Sequence, residues 1–282
     1  MPDVDVAIVG AGFGGLGMAT RLRRTGLEYV ILEKAGGIGG TWRENTYPGA
    51  GCDVPSHLYS FSFHQRSWPR RYSSQSDILR YLQELADAYE LRPHLRFGAE
   101  VTSATFDQDR SRWSLAVAGG EEVTARAVVS SVGQLNRPAL PDIPGRDRFR
   151  GPSWHSARWD HATALDGRRV AVVGTGASVI QFVPEIARRA ARVHVFQRSA
   201  PYVIPKPDRL YGSLERRLFD TVPLLRRADR LRIYLLGELL GTALVGSPAL
   251  RANLVGRWRK FMESQVADAD LRARCTPEYV VG

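Results

Sequence analysis

Apolar and polar positions alternate along this chain with two periods, one short and one long. Val4 to Val9 is a mostly apolar, β-branched run that stops at Gly10-Ala11-Gly12-Phe13-Gly14-Gly15, after which a helix-compatible segment begins. A second apolar run, Tyr29 to Leu32, ends at Glu33. The pattern predicts strand, tight turn, helix and strand. From Ser76 to Glu90 the period lengthens, with Ile78, Leu79, Leu82 and Leu85 on one helical face and Ser76 as the expected N-cap. Short strands between Val101 and Val132 then alternate around turns at Asp109-Arg110-Ser111 and Gly119-Gly120, and Val128 to Val132 is expected to return to the first sheet. Pro138, Pro141 and Pro144 predict a stiff, extended connection. Beyond it the strand-turn-helix pattern repeats as Arg169 to Val173, Gly174-Thr175-Gly176-Ala177-Ser178, an apolar segment Val179 to Ala187, and a strand Arg192 to Gln197. From about Leu210 to Arg274, arginine-punctuated apolar stretches look helical.

The two glycine turns carry the first chemistry. A strand that enters a helix through G-x-G-x-x-G can bring backbone N–H groups and the positive helix end up to a pyrophosphate. Gly10 permits the turn, Gly12 the close approach, and Gly15 the packing of helix on strand. Glu33 stands where a carboxylate can accept hydrogen bonds from ribose hydroxyls. Gly174 and Gly176 suggest a second such site, with Thr175 and Ser178 in the same turn, although the third glycine is not in its usual register and a plain strand-to-helix turn is the alternative. The second site's following strand ends in Arg198-Ser199 instead of an acid, which suits a 2′-phosphate; a solvated surface charge is the competing reading of Arg198.

Composition narrows the class. The 282 residues are 44% hydrophobic and 24% charged, enough to bury a sizeable core. Cys52 and Cys275 are the only cysteines and form no CxxC pair, which argues against a dithiol reductase. The chain enters its first strand without a secretion signal, so a cytoplasmic enzyme is expected. A net charge of +10 is dispersed and accompanies no zinc-ligand or RNA-binding pattern, so no nucleic-acid partner is expected.

Between the glycine turns lies Phe149-Arg-Gly151-Pro-Ser-Trp-His155-Ser-Ala-Arg-Trp159-Asp160. This segment resembles the fingerprint of the Baeyer-Villiger monooxygenases, Phe-x-Gly-x-x-x-His-x-x-x-Trp followed by Pro or Asp. Related N- and S-oxygenating flavin monooxygenases usually carry Tyr or Phe in place of Trp159. The loop from Gly39-Gly40-Thr41-Trp42 through Tyr47-Pro48-Gly49 to Cys52-Asp53 also looks like that family's flavin-embracing segment.

The resemblance implies an α/β fold with two Rossmann-like dinucleotide-binding domains and a helical insertion. Residues 1–145 would form the N-terminal part of an FAD-binding domain, and 146–282 a partial NADPH-binding domain with the insertion at about 210–275. It further implies that NADPH reduces FAD, and that O2 adds to give a flavin peroxide which converts an apolar ketone to an ester or lactone. N- or S-oxygenation and a noncatalytic nucleotide-binding remnant are the alternatives. Gly40, Thr41, Trp42, Tyr59 and Val101 join the FAD contacts, and Asp53 is expected to orient the family's active-site arginine. An Asx-turn is the plainer role for Asp53. Two roles are open to His155, conformational coupling across the linker or a satisfied structural histidine. The family arginine follows a Tyr-x-x-Gly segment in a Cys-Lys-Arg run, whereas here Tyr279-Val-Val-Gly282 ends the sequence. The chain is therefore expected to be an N-terminal fragment with an incomplete second domain and little activity alone. In the insertion, a cover for the substrate site is expected; a membrane-surface helix presenting Arg226, Arg227, Arg230 and Arg232 to headgroups is the alternative.

Overall fold

The computed structural model describes residues 3–280, apart from the side chain of Ala243. Two compact units are present: residues 1–47 with 74–161, and residues 48–73 with 162–282.

The first unit is built on β1 (Asp3–Val9), α1 (Phe13–Leu22), β2 (Tyr29–Glu33), α2 (Thr41–Glu44), α3 (Gln75–Ala88), β3 (Leu95–Phe97), β4 (Val101–Asp107), β5 (Arg112–Val117) and β6 (Glu121–Ser130). The six strands form one sheet in the order β3-β2-β1-β6-β5-β4. Parallel pairing of β1 with β2 and β6, and of β2 with β3, gives the nucleotide-fold half. The β4-β5-β6 half is an antiparallel meander. A single strand, β6, joins the halves: residues 121–125 face β5, and 124–130 face β1. The expected return to the first sheet is therefore the second half of one continuous strand.

Every residue of β2 is buried, as a strand covered on both faces should be. Ala7, Val30, Leu32, Leu115, Val117, Val123 and Ala125 form one cluster, so the two halves of the sheet share a core. α3 contributes Ile78, Tyr81, Leu82 and Leu85, all without solvent exposure, and Tyr81 stacks with Phe13 of α1 at 6.1 Å. Its N-cap is Ser74, whose hydroxyl accepts from the Asp77 N–H at 3.3 Å. Ser76, the expected cap, lies inside the first turn, because helix formation begins one residue after Ser74.

The second unit contains β7 (Arg169–Val173), α4 (Ala177–Ala187) and β8 (Arg192–Phe196), with β7 and β8 parallel. The helical insertion follows as α5 (Ser213–Thr221), α6 (Pro223–Gly246), α7 (Pro248–Gln265) and α8 (Ala269–Arg274). Trp258 of α7 is buried and donates from Nε1 to the Val203 carbonyl at 3.1 Å. Residues 69–72 run beside 208–211, fixed by an Arg70–Asp208 ion pair of 2.5 Å and by the Arg71 N–H on the Arg209 carbonyl. Among the described residues no single helix is long and apolar enough to cross a membrane; α6 and α7 reach that measure only together, across a 107° bend.

Candidate functional site

In the first unit, two glycines are demanded by the backbone itself. Gly10 has φ +105°, and a Cβ there would sit 2.5 Å from the Ser131 carbonyl oxygen. At Gly15 a Cβ would sit 1.9 Å from the Gly10 carbonyl oxygen. Strand, turn and helix thus pack at a spacing only glycine permits. Gly12 starts α1 without a side-chain cap, and the first turn of α1 holds no acidic residue. The leading N–H groups and the positive helix end are left for an outside anion.

A second glycine pair closes on this turn. Gly40 has φ +52°, its Cβ would lie 3.2 Å from Gly12 Cα, and the Gly39 N–H donates to the Ala11 carbonyl at 3.1 Å. α2 follows at once, with the Trp42 N–H on the Gly39 carbonyl and the Trp42 carbonyl accepting from Gln75 Nε2. Gly10, Gly12, Gly15, Gly40, Thr41 and Trp42 are therefore gathered in one place. Glu33 joins them, buried, with Oε2 accepting from the Ala11 N–H at 2.7 Å and Oε1 from the Ala35 N–H at 2.8 Å. Its carboxylate ties the turn to the loop after β2, and each oxygen keeps a lone pair for a further donor. Val101 opens β4, the edge strand, and packs against the core cluster; just before it, the Ala99 N–H donates to the Glu33 carbonyl at 2.9 Å.

The fingerprint segment is fastened to the same loop. Arg158 pairs with Glu44 at the end of α2, and His161 Nε2 meets Thr46 Oγ1 at 2.8 Å. Trp154 and Trp159 meet edge to face at 5.7 Å. Gly151 admits the Phe149 ring, whose Cζ would lie 2.7 Å from a Cβ at that position. His155 caps the short turn Ser156–Arg158, its Nδ1 accepting from the Ala157 N–H at 3.1 Å. That bond assigns the proton of a neutral ring to Nε2.

The second glycine turn, in the other unit, is more open. Gly174 has φ +114° and donates from its N–H to the Phe196 carbonyl at 2.8 Å; Gly176 starts α4 at φ −68°. A Cβ on either would find no atom within 4 Å. Thr175 Oγ1 donates to the Ser199 carbonyl at 3.3 Å, which draws the turn against the end of β8. Ser178 lies in the first turn of α4, and Arg198 is exposed just after β8.

The loop 48–60 belongs to this second unit. Gly49, at φ +78°, lies against α4, where a Cβ would meet the Gln181 carbonyl oxygen at 2.8 Å. The Gln181 amide donates to the Gly51 carbonyl at 2.9 Å and accepts from the Gly51 N–H at 3.3 Å. Asp53 is exposed and Tyr59 half-buried. Cys52 is a buried free thiol, pushed up to about 11 by burial.

Three residues complete the loop's support: His57 and Asp229, which sequence reasoning passed over, and Arg230, which it considered only for lipid headgroups. His57 is buried between Tyr211 and Phe219, with its Nδ1 2.7 Å from Asp229 of α6. Arg230, next along α6, donates to the carbonyls of His57, Leu58 and Ser60 at 2.8–3.1 Å. Partners about 170 residues apart leave no local signal. Arg226 likewise donates to its own chain, to the Phe219 carbonyl at 2.6 Å, and Arg232 lies 3.6 Å from Asp229. Of the four arginines considered for lipid headgroups, Arg226 and Arg230 thus serve backbone carbonyls.

A family model described as pyridine nucleotide-disulphide oxidoreductase matches residues 7–215. The chain belongs to that family. It is 46% identical over 281 residues to a Streptomyces coelicolor protein named Baeyer-Villiger monooxygenase, covering 99% of this chain and 54% of the relative. A solved structure of oxidized steroid monooxygenase bound to NADP matches with a TM-score of 0.86 and 34% identity, covering 99% of this chain and 61% of that one. The open crystal structure of cyclohexanone monooxygenase matches at 0.86 and 29%, covering 100% and 63%. The resemblance first carried by the fingerprint is borne out along nearly the whole chain. The chain spans about half the length of this curated relative. The family's name speaks of disulphides, yet both cysteines here are free, and a thiol pushed up to about 11 is scarcely ionised near neutral pH.

Proposed function

We propose that this chain supplies the dinucleotide-binding part of an FAD- and NADPH-dependent monooxygenase of Baeyer-Villiger type, acting with O2 on an apolar ketone to give an ester or lactone. The observation that carries the reading lies within the first unit: the fingerprint is tied through Arg158–Glu44 and His161–Thr46 to the loop whose Gly40 faces Gly12. The donor set fits a flavin dinucleotide, since an uncapped helix start, two opposed glycines and a buried carboxylate with spare lone pairs meet at one turn.

Gly10, Gly12 and Gly15 would hold the FAD pyrophosphate, and Glu33 the ribose. Gly40, Thr41, Trp42 and Tyr59 would contact the flavin, with Val101 as a further contact. On the nicotinamide side Gly174, Thr175, Gly176 and Ser178 would take the pyrophosphate, and Arg198 with Ser199 the 2′-phosphate, which a guanidinium fork recognises. FAD, when bound, supplies hydride acceptance from NADPH and activation of O2. The chain's own residues would bind and orient the two dinucleotides. Asp53 would orient a cationic group, and His155, with Nδ1 already engaged, would couple the fingerprint turn to its surroundings through Nε2. Two free thiols suit a reducing compartment, which supports a cytoplasmic place.

The test is flavin content after denaturation of the purified chain, followed by titration with NADPH and NADH. Stoichiometric FAD and a preference for NADPH that falls at least tenfold in Arg198→Ala are expected. A chain that binds neither dinucleotide would refute the proposal; for a longer form, oxidation of amines or sulfides but not ketones would reassign the reaction.

A further inference from the structure

The turn that carries Tyr59 is gripped from one side by two successive residues of α6. The N–H groups of Leu58 and Tyr59 both donate to the Pro55 carbonyl, at 2.9 and 3.0 Å, so residues 55–59 make a single helical turn. Such a turn ends with carbonyls that have no partner within it. Those carbonyls converge on Arg230: Nη1 lies 2.8 Å from the oxygen of His57, 3.1 Å from that of Leu58 and 2.9 Å from that of Ser60. One nitrogen has two hydrogens, so three acceptors share them, an arrangement that fixes the turn in direction as well as position. The preceding residue, Asp229, holds His57 Nδ1 at 2.7 Å, and that ring is stacked on Tyr211 at 5.5 Å and met edge-on by Phe219 at 4.5 Å. Tyr211 opens the way into the helical insertion and Phe219 lies in α5, so the grip belongs to the insertion as a whole. All these contacts lie within the second unit.

We infer that Asp229 and Arg230 are positioning residues, through which the helical insertion sets the backbone of residues 57–60 and thereby the placing of Tyr59. The inference rests on the proposed flavin role of Tyr59. A guanidinium on carbonyls is the charge-assisted counterpart of a helix C-cap. It is also the only member of the Arg226, Arg227, Arg230 and Arg232 set whose hydrogen bonds fall on the loop 48–60 among the described residues. Asp229 and Arg230 therefore couple two parts of the chain by a function that neither helix propensity nor apolar packing requires.

The experiment compares the full 282-residue chain with Arg230→Ala, Arg230→Lys, Asp229→Asn and the exposed control Arg227→Ala. Amide exchange over residues 55–61 reads the grip without reference to any ligand; FAD affinity and bound-flavin fluorescence read its consequence. Arg230→Ala is expected to lose about tenfold of the protection at Leu58 and Tyr59 and to weaken FAD by about tenfold, the scale of a charged hydrogen bond. Helix content by circular dichroism should stay unchanged, Arg230→Lys should recover part of both signals, and Arg227→Ala should match the parent. Unchanged exchange in Arg230→Ala would overturn the grip. Raised exchange with unaltered flavin affinity and fluorescence would overturn the positioning role alone. A parent chain without FAD would overturn that role together with the flavin reading, and the exchange data would still separate this result from a failed grip.

Discussion

Gly15→Ala tests the packing argument at its tightest point. The added Cβ would lie 1.9 Å from the Gly10 carbonyl oxygen, 3.0 Å from its carbon and 3.3 Å from Ile8 Cγ2. The first distance is about 1 Å short of the 3.0 Å that real Cβ atoms keep. The listener on the other side is backbone, so no rotamer change relieves it. Either α1 moves off β1, loosening the fully buried Leu16 and Ala19, or the turn at Gly10 opens against Ser131. Overpacking of this kind costs about 3 kcal/mol, the upper end of its usual range. For a unit of this size that corresponds to a fall of roughly 10 °C in its melting midpoint. Gly176→Ala is the matched control: its φ of −68° suits any residue, nothing lies within 4 Å, and the remaining cost is alanine's poorer N-capping, about 1 kcal/mol or less. Thermal unfolding followed by amide exchange in β1 and α1 separates the first unit's transition from the second's. A Gly15→Ala chain that keeps the parent midpoint and the parent flavin content would refute the reasoning.

Glu33→Gln leaves one of the N–H groups of Ala11 and Ala35 facing an amide NH2, and removes the charge from the other bond. A loss of about 2 kcal/mol in stability, with weaker FAD binding, is expected by denaturant titration. Ser74→Ala should cost about 1 kcal/mol through the lost cap on α3, while Ser76→Ala stays within experimental error; equal effects would show that the cap is misassigned. Asp229 is held below the usual carboxylate value of 3.8, first by its hydrogen bond to His57, against the opposing effect of burial. Because the folded value is the lower one, its contribution is present above pH 3.8 and lost as pH falls through the folded value. Exchange at residues 55–61 should therefore rise below about pH 4 in the parent, and the step should be absent in Asp229→Asn.

Local period carried most of the fold. The run Val4–Val9, the spacing of Ile78, Leu82 and Leu85, the Gly119-Gly120 turn and the repeat at Gly174 each specify an element from neighbours within a few residues. What escaped depends on distant partners. Ser76 was the expected cap of α3, but the cap is Ser74, and the choice turns on side chains: Ser73 is buried and bonded to Ser56 across 17 residues, whereas the Ser74 hydroxyl reaches the Asp77 N–H. Glu33 was legible as a carboxylate at a strand end, but its bond to Ala11 spans 22 residues. The association of the loop 48–60 with the second unit rests on Gln181 and Arg230, some 130 and 170 residues away. Of the candidate site, the glycines and Glu33 were thus readable as a group, while the loop's anchors were not.

The two glycine turns invite different explanations for the same residue type. At Gly10 and Gly15 the chain's own backbone excludes a side chain, so their presence would be required even without a ligand. Gly174 needs glycine for its φ of +114°. Gly176 has neither reason: its backbone is ordinary and the space around it is open. A glycine there carries an entropic cost on folding and forgoes the better N-caps that Ser, Asp or Asn would provide. What remains is the approach of something outside the protein to the start of α4, where the first turn holds no acidic residue. Arg198, exposed beyond β8, has no ion-pair partner among the described residues. The proposed NADPH would account for both the bare helix start and the unpaired cation, and because the second turn is less constrained by its own fold than the first, substitution there tests the proposal with little cost to the fold.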